Sequence, residues 1–190
     1  MALVILDRDG VINEDSDAFV KSVDEWIPLP GSIEAIARLS RGGFAVAVAT
    51  NQSGLGRGLF RQADLDAMHQ RLHALVAAAG GHLAGIYHCP HKPDDGCDCR
   101  KPLPGLLDQL ARDLNLPLAG AVMVGDRLRD LEAGLARGCR PMLVRTGKGA
   151  ATEAKLRATG DPLLQSLAVF DDLAACADHL LAAGTDGQRP

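Results

Sequence analysis

The stretch that decides the fold is Leu3-Val4-Ile5-Leu6-Asp7-Arg8-Asp9-Gly10, close to the start of the chain. Its first four residues are all apolar, with no polar residue between them. Such a run predicts a strand buried on both faces, as in a parallel sheet covered by helices. Ligands of open α/β sheets bind in the crevice beyond the carboxyl ends of the strands. The strand therefore delivers Asp7 to the edge of the sheet where chemistry is expected.

Asp7 and Asp9 form a pair of acids directly after this strand. In an extended chain, side chains two residues apart point to opposite sides, so only a turn after Asp7 can bring both to one site. Gly10 allows such a turn. Two close carboxylates repel each other unless a cation or a proton separates them, which predicts a metal site, an acid/base pair, or both. The alternative is that Asp7 only ends a strand and Asp9-Gly10 only forms a turn.

Length and composition bound the remaining choices. The chain has 190 residues and a mass of 19.9 kDa, with 47% hydrophobic residues and a net charge of -4. This predicts one domain over residues 1–184, followed by a tail at 185–190. An acidic balance without a basic block argues against a nucleic-acid partner. No apolar run reaches the length of a membrane span, and Met1 leaves no room for a signal peptide, so we expect a cytoplasmic monomer with no membrane partner.

A long irregular stretch, 11–31, follows the first strand. Loops of this length are usually functional, so Asp15 and Asp17 are candidates to border the site and contact a substrate. Solvated loop acids are the commoner alternative. Ser32 is then expected to cap a helix that ends at Gly42-Gly43.

A second buried strand, 44–49, also ends in polar residues, at Thr50-Asn51-Gln52-Ser53-Gly54. A hydroxyl, an amide and glycine-freed backbone N–H groups can approach a phosphate oxygen closely. The candidate phosphate- and substrate-binding residues here are Thr50, Asn51, Gln52 and Ser53. The alternative is a glycine-rich turn before a helix. The helix that follows, 62–79, places His69 and His73 beside its apolar stripe, where we expect both to be solvated.

The most specific local signal lies in a loop at residues 88–101. Two close pairs of ligand residues flank a turn there: Cys89 and His91, then Cys97 and Cys99. This set suits a tetrahedral Zn²⁺, and four protein ligands leave no open position, so the zinc would be structural. His88 is an alternative ligand. A disulfide is disfavoured in the cytoplasm, and Cys139 and Cys176 are predicted to be buried thiols.

Two cations, Arg100 and Lys101, come directly after the last of these cysteines, so any order that zinc imposes would pass to them. Lys101 offers a compact ammonium for a reacting phosphoryl group. Arg100 offers a fork for a second anionic group of a substrate. The alternative is a pair of solvated cations after a loop.

Acids also follow a later strand, 121–124. This segment leads into Gly125-Asp126, and we interpret Asp126 as a metal ligand. Arg127, beside it, is a candidate for contacts with a substrate. Asp130 lies in the first turn of the next helix, where an acid simply favours the helix dipole.

Strands and helices alternate along the whole chain. Beyond those named, we expect a strand at 83–87, a helix opened by Pro104, a strand at 141–145, and a strand and helix within 168–183. The alternation predicts an α/β fold with three layers, Rossmann-like, around a mainly parallel sheet. Several strand ends would then bring polar groups to one edge of that sheet.

These residues resemble the motifs of the haloacid dehalogenase-like phosphohydrolases over nearly the entire chain. The matching motifs, in order, are Asp7-Arg8-Asp9-Gly10, Thr50, Lys101 and Gly125-Asp126. The resemblance implies a nucleophile at Asp7, which forms an aspartyl-phosphate, and a general acid/base at Asp9. Thr50 and Lys101 would bind the phosphoryl group. Mg²⁺ would lie on Asp7, the backbone carbonyl of Asp9, and Asp126, because a carboxylate can approach a phosphate only when positive charge neutralises both.

Within that family, the zinc loop resembles a small subgroup of sugar-bisphosphate and histidinol-phosphate phosphatases, and neither gap between motifs holds a large cap domain. The resemblance implies a small phosphorylated sugar as substrate, a heptose 1,7-bisphosphate that loses its C7 phosphate on the route to ADP-heptose and lipopolysaccharide core. Histidinol phosphate is the second candidate substrate and a nucleic-acid 3′-phosphate the third. A zinc-ordered phosphate-binding module without turnover is a further alternative. Val11 departs from the family pattern, where many members have Thr, but touches none of these roles.

Overall fold

The structure is a computed structural model in which residues 2–186 are described, with side chains described through residue 183. The strands are β1 (Leu3–Leu6), β2 (Ala45–Asn51), β3 (Gly85–Cys89), β4 (Val122–Gly125), β5 (Arg140–Val144) and β6 (Ala168–Phe170). The helices are α1 (Ser32–Arg41), α2 (Ser53–Gly56), α3 (Gln62–Ala78), α4 (Gly105–Leu114), α5 (Leu128–Leu135), α6 (Gly149–Thr159) and α7 (Leu173–Asp186). The sheet order is β3-β2-β1-β4-β5-β6 and every neighbouring pair is parallel, which confirms the predicted sheet.

β1 lies inside the sheet and is buried on both faces. Val4 and Leu6 pack on one face, in a core that includes α1, α3 and α7. Leu3 and Ile5 pack on the other face, in a core that includes α4 and α5. The alternation of side chains along a strand sends successive residues to opposite cores. The sheet is therefore the middle of three layers, as predicted, and no cap domain rises from the described residues.

The strand order changes direction at the boundary between β1 and β4. In open α/β sheets a ligand crevice forms at the carboxyl ends of the strands at such a point. β1 and β4 are paired up to Leu6 and Val124, and the Asp7 backbone N–H donates to the Val124 carbonyl at 2.9 Å. The main chain thus fixes Asp7 and Asp126 at the same edge of the sheet.

The structure contains two helices that the sequence did not predict, α2 and α6. In α6 only Gly149, Glu153 and Leu156 are buried, so no apolar stripe marks it as a helix. α2 has four residues, too few to carry a periodic pattern.

Three local predictions are wrong. Ser32 does not cap α1: the cap residue is Gly31 with φ 75°, and the Ser32 hydroxyl contacts the carbonyl oxygens of Ile12 and Leu29 at 2.7 and 2.9 Å. β3 begins and ends two residues later than expected, since its pairing with β2 runs from Gly85 to Cys89. His69 is half-buried rather than solvated, whereas His73 is exposed as expected.

Cys139 and Cys176 are buried free thiols, which confirms the prediction. α7 runs through the first two residues of the predicted tail, and residues 187–190 lie outside the described part of the chain. Among the described helices, none combines the length and apolar character needed to span a membrane. The division into one domain and a tail remains a prediction.

Candidate active site

Three carboxylates meet at the carboxyl edge of the sheet. Asp7 follows β1, Asp126 follows β4, and Asp130 lies in the first turn of α5. One ligand oxygen from each lies within 4.8 Å of the others. All three are buried, with Asp7 4% exposed and the other two 0% exposed. Buried charges of one sign at this distance require positive partners.

Lys101 supplies one of these positive partners. Its Nζ lies 3.0 Å from Asp7 Oδ1 and 2.7 Å from Asp130 Oδ1, and it donates to the Ala49 carbonyl at 2.7 Å. Burial alone would lower the pKa of Lys101, but Asp130 and Asp7 together outweigh burial and raise it. Asp130 is therefore the buried counter-ion of Lys101. Sequence reasoning, which gave Asp130 only a helix-dipole role, missed this because the two residues are far apart along the chain.

Asn51 holds the backbone of Lys101. Its Nδ2 donates to the Lys101 carbonyl at 3.0 Å, and its Oδ1 accepts from the Lys101 N–H at 3.1 Å. Asn51 lines the cleft, as its predicted contact with substrate requires, but both ends of its amide are used to place the lysine. Thr50, one residue earlier, is buried, and its Oγ1 accepts from Gln52 at 3.0 Å.

Three side chains hold the Asp9 carboxylate. Arg8 Nη2 donates to both oxygens at 2.9 and 3.1 Å, and Arg8 Nε donates to Oδ1 at 3.2 Å. Asn13 donates to Oδ1 at 2.8 Å and Gln52 donates to Oδ2 at 2.7 Å. Every one of these partners is a donor, so the arrangement fits the ionised carboxylate. Neither Arg8 nor Asn13 is among the predicted site residues.

The carboxylate cluster fits a divalent cation bound through oxygen. Asp126 Oδ2 accepts from the Lys148 backbone N–H at 2.8 Å, while Asp126 Oδ1 is buried without a hydrogen-bond partner in the described part of the chain. Burial, followed by Asp7 and Asp130, raises the pKa of Asp126 to about 7, as expected where negative charge is in excess. Gly10 has φ 88°, and a Cβ there would clash with Asp126 Oδ2, so the predicted turn requires glycine.

A second cluster forms in the loop after β3, from Cys89, His91, Cys97 and Cys99. Cys89 Sγ lies 3.1 Å from Cys99 Sγ and 3.7 Å from Cys97 Sγ. His91 Nδ1 lies 3.2 Å from Cys99 Sγ and 3.5 Å from Cys89 Sγ. All of these thiols are free, and three sulfurs and an imidazole nitrogen are the donors that a structural Zn²⁺ prefers. His88, the alternative ligand, lies outside the cluster and faces His69 at a ring distance of 5.9 Å.

A cleft of about 290 Å³ opens at the sheet edge. The predicted site residues that line it are Asp7, Asp9, Asp15, Asp17, Thr50, Asn51, Gln52, Ser53, Arg100 and Arg127. Arg57 and Arg129 line it as well and are not among the predicted site residues. The signal that could have indicated them is their position close to the motifs that contain Ser53 and Asp126.

Two ion pairs connect the 11–31 loop to the sheet edge. Arg127 Nη2 lies 2.6 Å from Asp15 Oδ2, and Lys148 Nζ lies 2.8 Å from Asp17 Oδ1. The hydrogen bond with Lys148 lowers the pKa of Asp17. Asp15, Asp17 and Arg127 were predicted to contact substrate, and the structure pairs each of them with a group of the protein.

Arg100 connects the Cys3His loop to the cleft. Its Nη1 donates to the His91 carbonyl at 3.2 Å, and the same residue lines the cleft. A change in the order of the loop would therefore reach a cation at the site.

Two protein-family models match the chain. A HAD-hydrolase-like model matches residues 98–174, and a polynucleotide kinase 3 phosphatase model matches residues 3–129. Between them they include every residue of the carboxylate cluster and of the Cys3His cluster.

Relatives of known name match nearly the whole chain. A D-glycero-beta-D-manno-heptose-1,7-bisphosphate 7-phosphatase from Pseudomonas aeruginosa is 57% identical over 180 residues, covering 95% of this chain and 98% of that protein. A protein of the same name from Escherichia coli is 40% identical over 173 residues, covering 87% of this chain and 89% of that protein.

A solved structure shows the same architecture at high identity. The crystal structure of D,D-heptose 1,7-bisphosphate phosphatase from Bordetella bronchiseptica, complexed with magnesium and phosphate, matches with a TM-score of 0.90 and 54% identity, covering 96% of this chain and 99% of that chain. The fold, the converging carboxylates and these relatives all indicate the same family. The chain belongs to the haloacid dehalogenase-like family of phosphatases.

Proposed function

We propose that this phosphatase removes the C7 phosphate from D-glycero-β-D-manno-heptose 1,7-bisphosphate in a Mg²⁺-dependent reaction and leaves the anomeric phosphate in place. The observation that carries the proposal is the buried contact between Lys101 and Asp7, in which a cation lies beside the carboxylate that we propose as the nucleophile. The names of the relatives support the choice of substrate. The product would enter the route to ADP-heptose and lipopolysaccharide core.

The reaction has two halves. In the first, an Asp7 oxygen attacks phosphorus and forms an aspartyl-phosphate, while the bond from phosphorus to the sugar oxygen breaks and Asp9 gives its proton to that oxygen. In the second, water attacks phosphorus, Asp9 takes a proton from the water, and the bond to Asp7 breaks to release inorganic phosphate. The ionised Asp9 described above is the form that acts as base in the second half. The proton that it takes from water there is the one that it gives to the leaving oxygen in the first half of the next turnover.

Lys101 and Thr50 bind the phosphoryl oxygens. Lys101 Nζ donates to the Ala49 carbonyl and forms ion pairs with Asp7 and Asp130, so a phosphoryl oxygen that binds Nζ must compete with one of these contacts. Asp7 is the natural partner to exchange, because the attacking oxygen of its carboxylate loses its negative charge when it forms the acyl phosphate. The Thr50 hydroxyl accepts from Gln52, which leaves its own proton for a phosphoryl oxygen.

The carboxylates of Asp7 and Asp126 and the backbone carbonyl of Asp9 would hold Mg²⁺. When bound, this ion offsets the charge of the phosphoryl oxygens and of the attacking carboxylate. Two observations support Asp126 as a ligand. Its Oδ1 atom has no hydrogen-bond partner in the described part of the chain, and the pKa of its carboxyl group is raised. Asp130 is not proposed as a Mg²⁺ ligand, since its ion pair with Lys101 already offsets its charge.

Zn²⁺ would be held by Cys89, His91, Cys97 and Cys99 as a structural ion. All four positions of a tetrahedral ion are then filled by protein, which excludes a role in chemistry for this ion. We further propose that the protein acts in the cytoplasm as a monomer.

The test is a turnover comparison with Mg²⁺ on three esters: the heptose bisphosphate, histidinol phosphate and a 3′-phosphorylated oligonucleotide. We expect the highest kcat/KM for the bisphosphate, because Arg57, Arg100 and Arg129 line the cleft and form no ion pair with a carboxylate of the described residues. Histidinol phosphate carries a cationic amine that these arginines repel. A higher kcat/KM for histidinol phosphate, or for the oligonucleotide, would replace the proposed substrate.

A further inference from the structure

Arg8 is a fully buried cation that has no part in the reaction as proposed. It is 0% exposed and sits between the two catalytic acids in the sequence. Its Nε and Nη2 atoms both donate hydrogen bonds to Asp9, which leaves Nη1 for another partner. That partner is Nε2 of His69, on α3, at 3.3 Å.

The contact with Arg8 determines the protonation state and the tautomer of His69. An arginine can only donate, so His69 Nε2 accepts, and the imidazole is neutral with its proton on Nδ1. Burial, followed by the positive charge of Arg8, lowers the pKa of His69 to about 3. His69 therefore remains an acceptor over the whole pH range in which a cytoplasmic phosphatase works.

The geometry makes the orientation of Arg8 critical for Asp9. The guanidinium is planar and rigid, so a rotation that moves Nη1 also takes Nε and Nη2 off the carboxylate. Asn13 and Gln52 each supply one bond to Asp9, while Arg8 supplies contacts to both oxygens. His69 holds Nη1, the guanidinium nitrogen of Arg8 that does not donate to Asp9.

We propose that His69 is a positioning residue for proton transfer: it fixes the Arg8 guanidinium, which in turn fixes the Asp9 carboxylate relative to the leaving oxygen. The inference rests on the proposed function, in which Asp9 is the general acid/base. Proton transfer is sensitive to alignment, so a loosened Asp9 loses part of the 10²–10⁴-fold contribution that is typical, to order of magnitude, of general acid/base catalysis.

The test uses two esters that differ in their need for an acid. A primary alkyl phosphate, such as the sugar bisphosphate, needs a proton on its leaving oxygen, whereas 4-nitrophenyl phosphate expels a stable phenolate without one. kcat/KM reports the steps up to loss of the leaving group and therefore isolates the acid role. A purely structural defect lowers kcat/KM for both esters to the same extent.

Three substitutions of His69 are compared with wild type. His69→Leu removes the acceptor, and His69→Asn retains polarity with an amide too short to reach Arg8. His69→Gln keeps an acceptor oxygen at a similar reach. His73→Leu, on the exposed side of the same helix, is the matched control. Circular dichroism and zinc content report the fold of each protein.

We expect His69→Leu and His69→Asn to lower kcat/KM for the sugar phosphate about tenfold, with 4-nitrophenyl phosphate changed less than about twofold. His69→Gln should restore most of the difference, and His73→Leu should behave as wild type. Should His69→Leu fail to fold, the Asn and Gln variants carry the comparison. Equal losses on both esters, or none on either, would overturn the inference while leaving the phosphatase intact. A wild-type protein that hydrolyses neither ester would overturn the proposed function itself.

Discussion

The carboxylate cluster and the Cys3His cluster are two sets of ligand atoms assembled in opposite ways. Asp7 and Asp126 directly follow β1 and β4, whose backbones are fixed by the hydrogen bonds of the sheet. In the other cluster only Cys89 belongs to a strand, and His91, Cys97 and Cys99 lie in a segment with no helix or strand. The first set is held by the main chain, and the second by its own side chains.

This difference predicts different roles for the two proposed metal ions. The sheet edge keeps its geometry through backbone pairing and through the contacts of Lys101 with Asp7 and Asp130. The loop has few such bonds, so an ion shared by four side chains would supply most of its order. We therefore expect changes at the sheet edge to act on chemistry, and changes in the loop to act on order first and on chemistry through Arg100 and Lys101.

The largest effect should come from Asp7→Asn, which leaves the fold unchanged and removes the group that bonds to phosphorus. An amide is nearly the same size as the carboxylate but is not a nucleophile, so turnover should fall below detection. The measurement is phosphate release at saturating Mg²⁺, with the thermal midpoint as control. Near-normal release would show that Asp7 is not the nucleophile.

Asp9→Asn should have the next largest effect, a loss of about 10²–10⁴-fold in kcat, since it removes only proton transfer. The amide can still accept from Arg8 and Asn13, so the variant should keep its fold and its affinity for inorganic phosphate. Equilibrium binding of phosphate with Mg²⁺ measures the second point. A variant that had lost phosphate binding along with kcat would place Asp9 in substrate binding instead.

Cys97→Ser should act at a distance and more weakly. Loss of one thiolate should release the ion and loosen the segment that presents Arg100 and Lys101, which should lower kcat/KM by about 10–100-fold, the scale seen when groups supporting a metal site are removed. Metal analysis should find about one zinc per chain in wild type and less in the variant. The affinity for Mg²⁺ should change little, because its proposed ligands Asp7 and Asp126 are not altered.

Cys139→Ser is the matched control, since this buried free thiol is not part of the Cys3His cluster and its replacement should leave the zinc content unchanged. An active wild-type protein without zinc would contradict the assignment. So would a disulfide between Cys97 and Cys99.

The strands and their terminal acids could be read from the sequence because each signal is local. A buried run such as Leu3–Leu6 and the carboxylate that follows it are adjacent in the chain, and parallel pairing then brings such ends to one edge. The Cys3His set is local as well, within a single loop. Both clusters could therefore be predicted before their geometry was known.

The remaining features depend on contacts between residues that are far apart in sequence. The pairing of Asp130 with Lys101, and of Asp15 with Arg127, follows only from the packing of whole elements. His69 looked like a surface histidine because its own helix gives no sign that Arg8 will lie against it. α6 carries one buried leucine, Leu156, and so lacks the periodic pattern on which helix prediction depends.

The smallest effect should come from Arg100→Ala, which sharpens the comparison by changing the residue that links the two clusters without replacing a proposed metal ligand. Arg100 is partly exposed and donates to the His91 carbonyl, so its loss should weaken binding of a second phosphate by about 1 kcal/mol, or roughly fivefold in kcat/KM. The loss should appear on the heptose bisphosphate and be much smaller on a generic monophosphate ester or on histidinol phosphate. Arg112→Ala, an exposed arginine on α4, is the control. An equal loss on every ester, with reduced zinc content, would mean that Arg100 serves the loop and not the substrate.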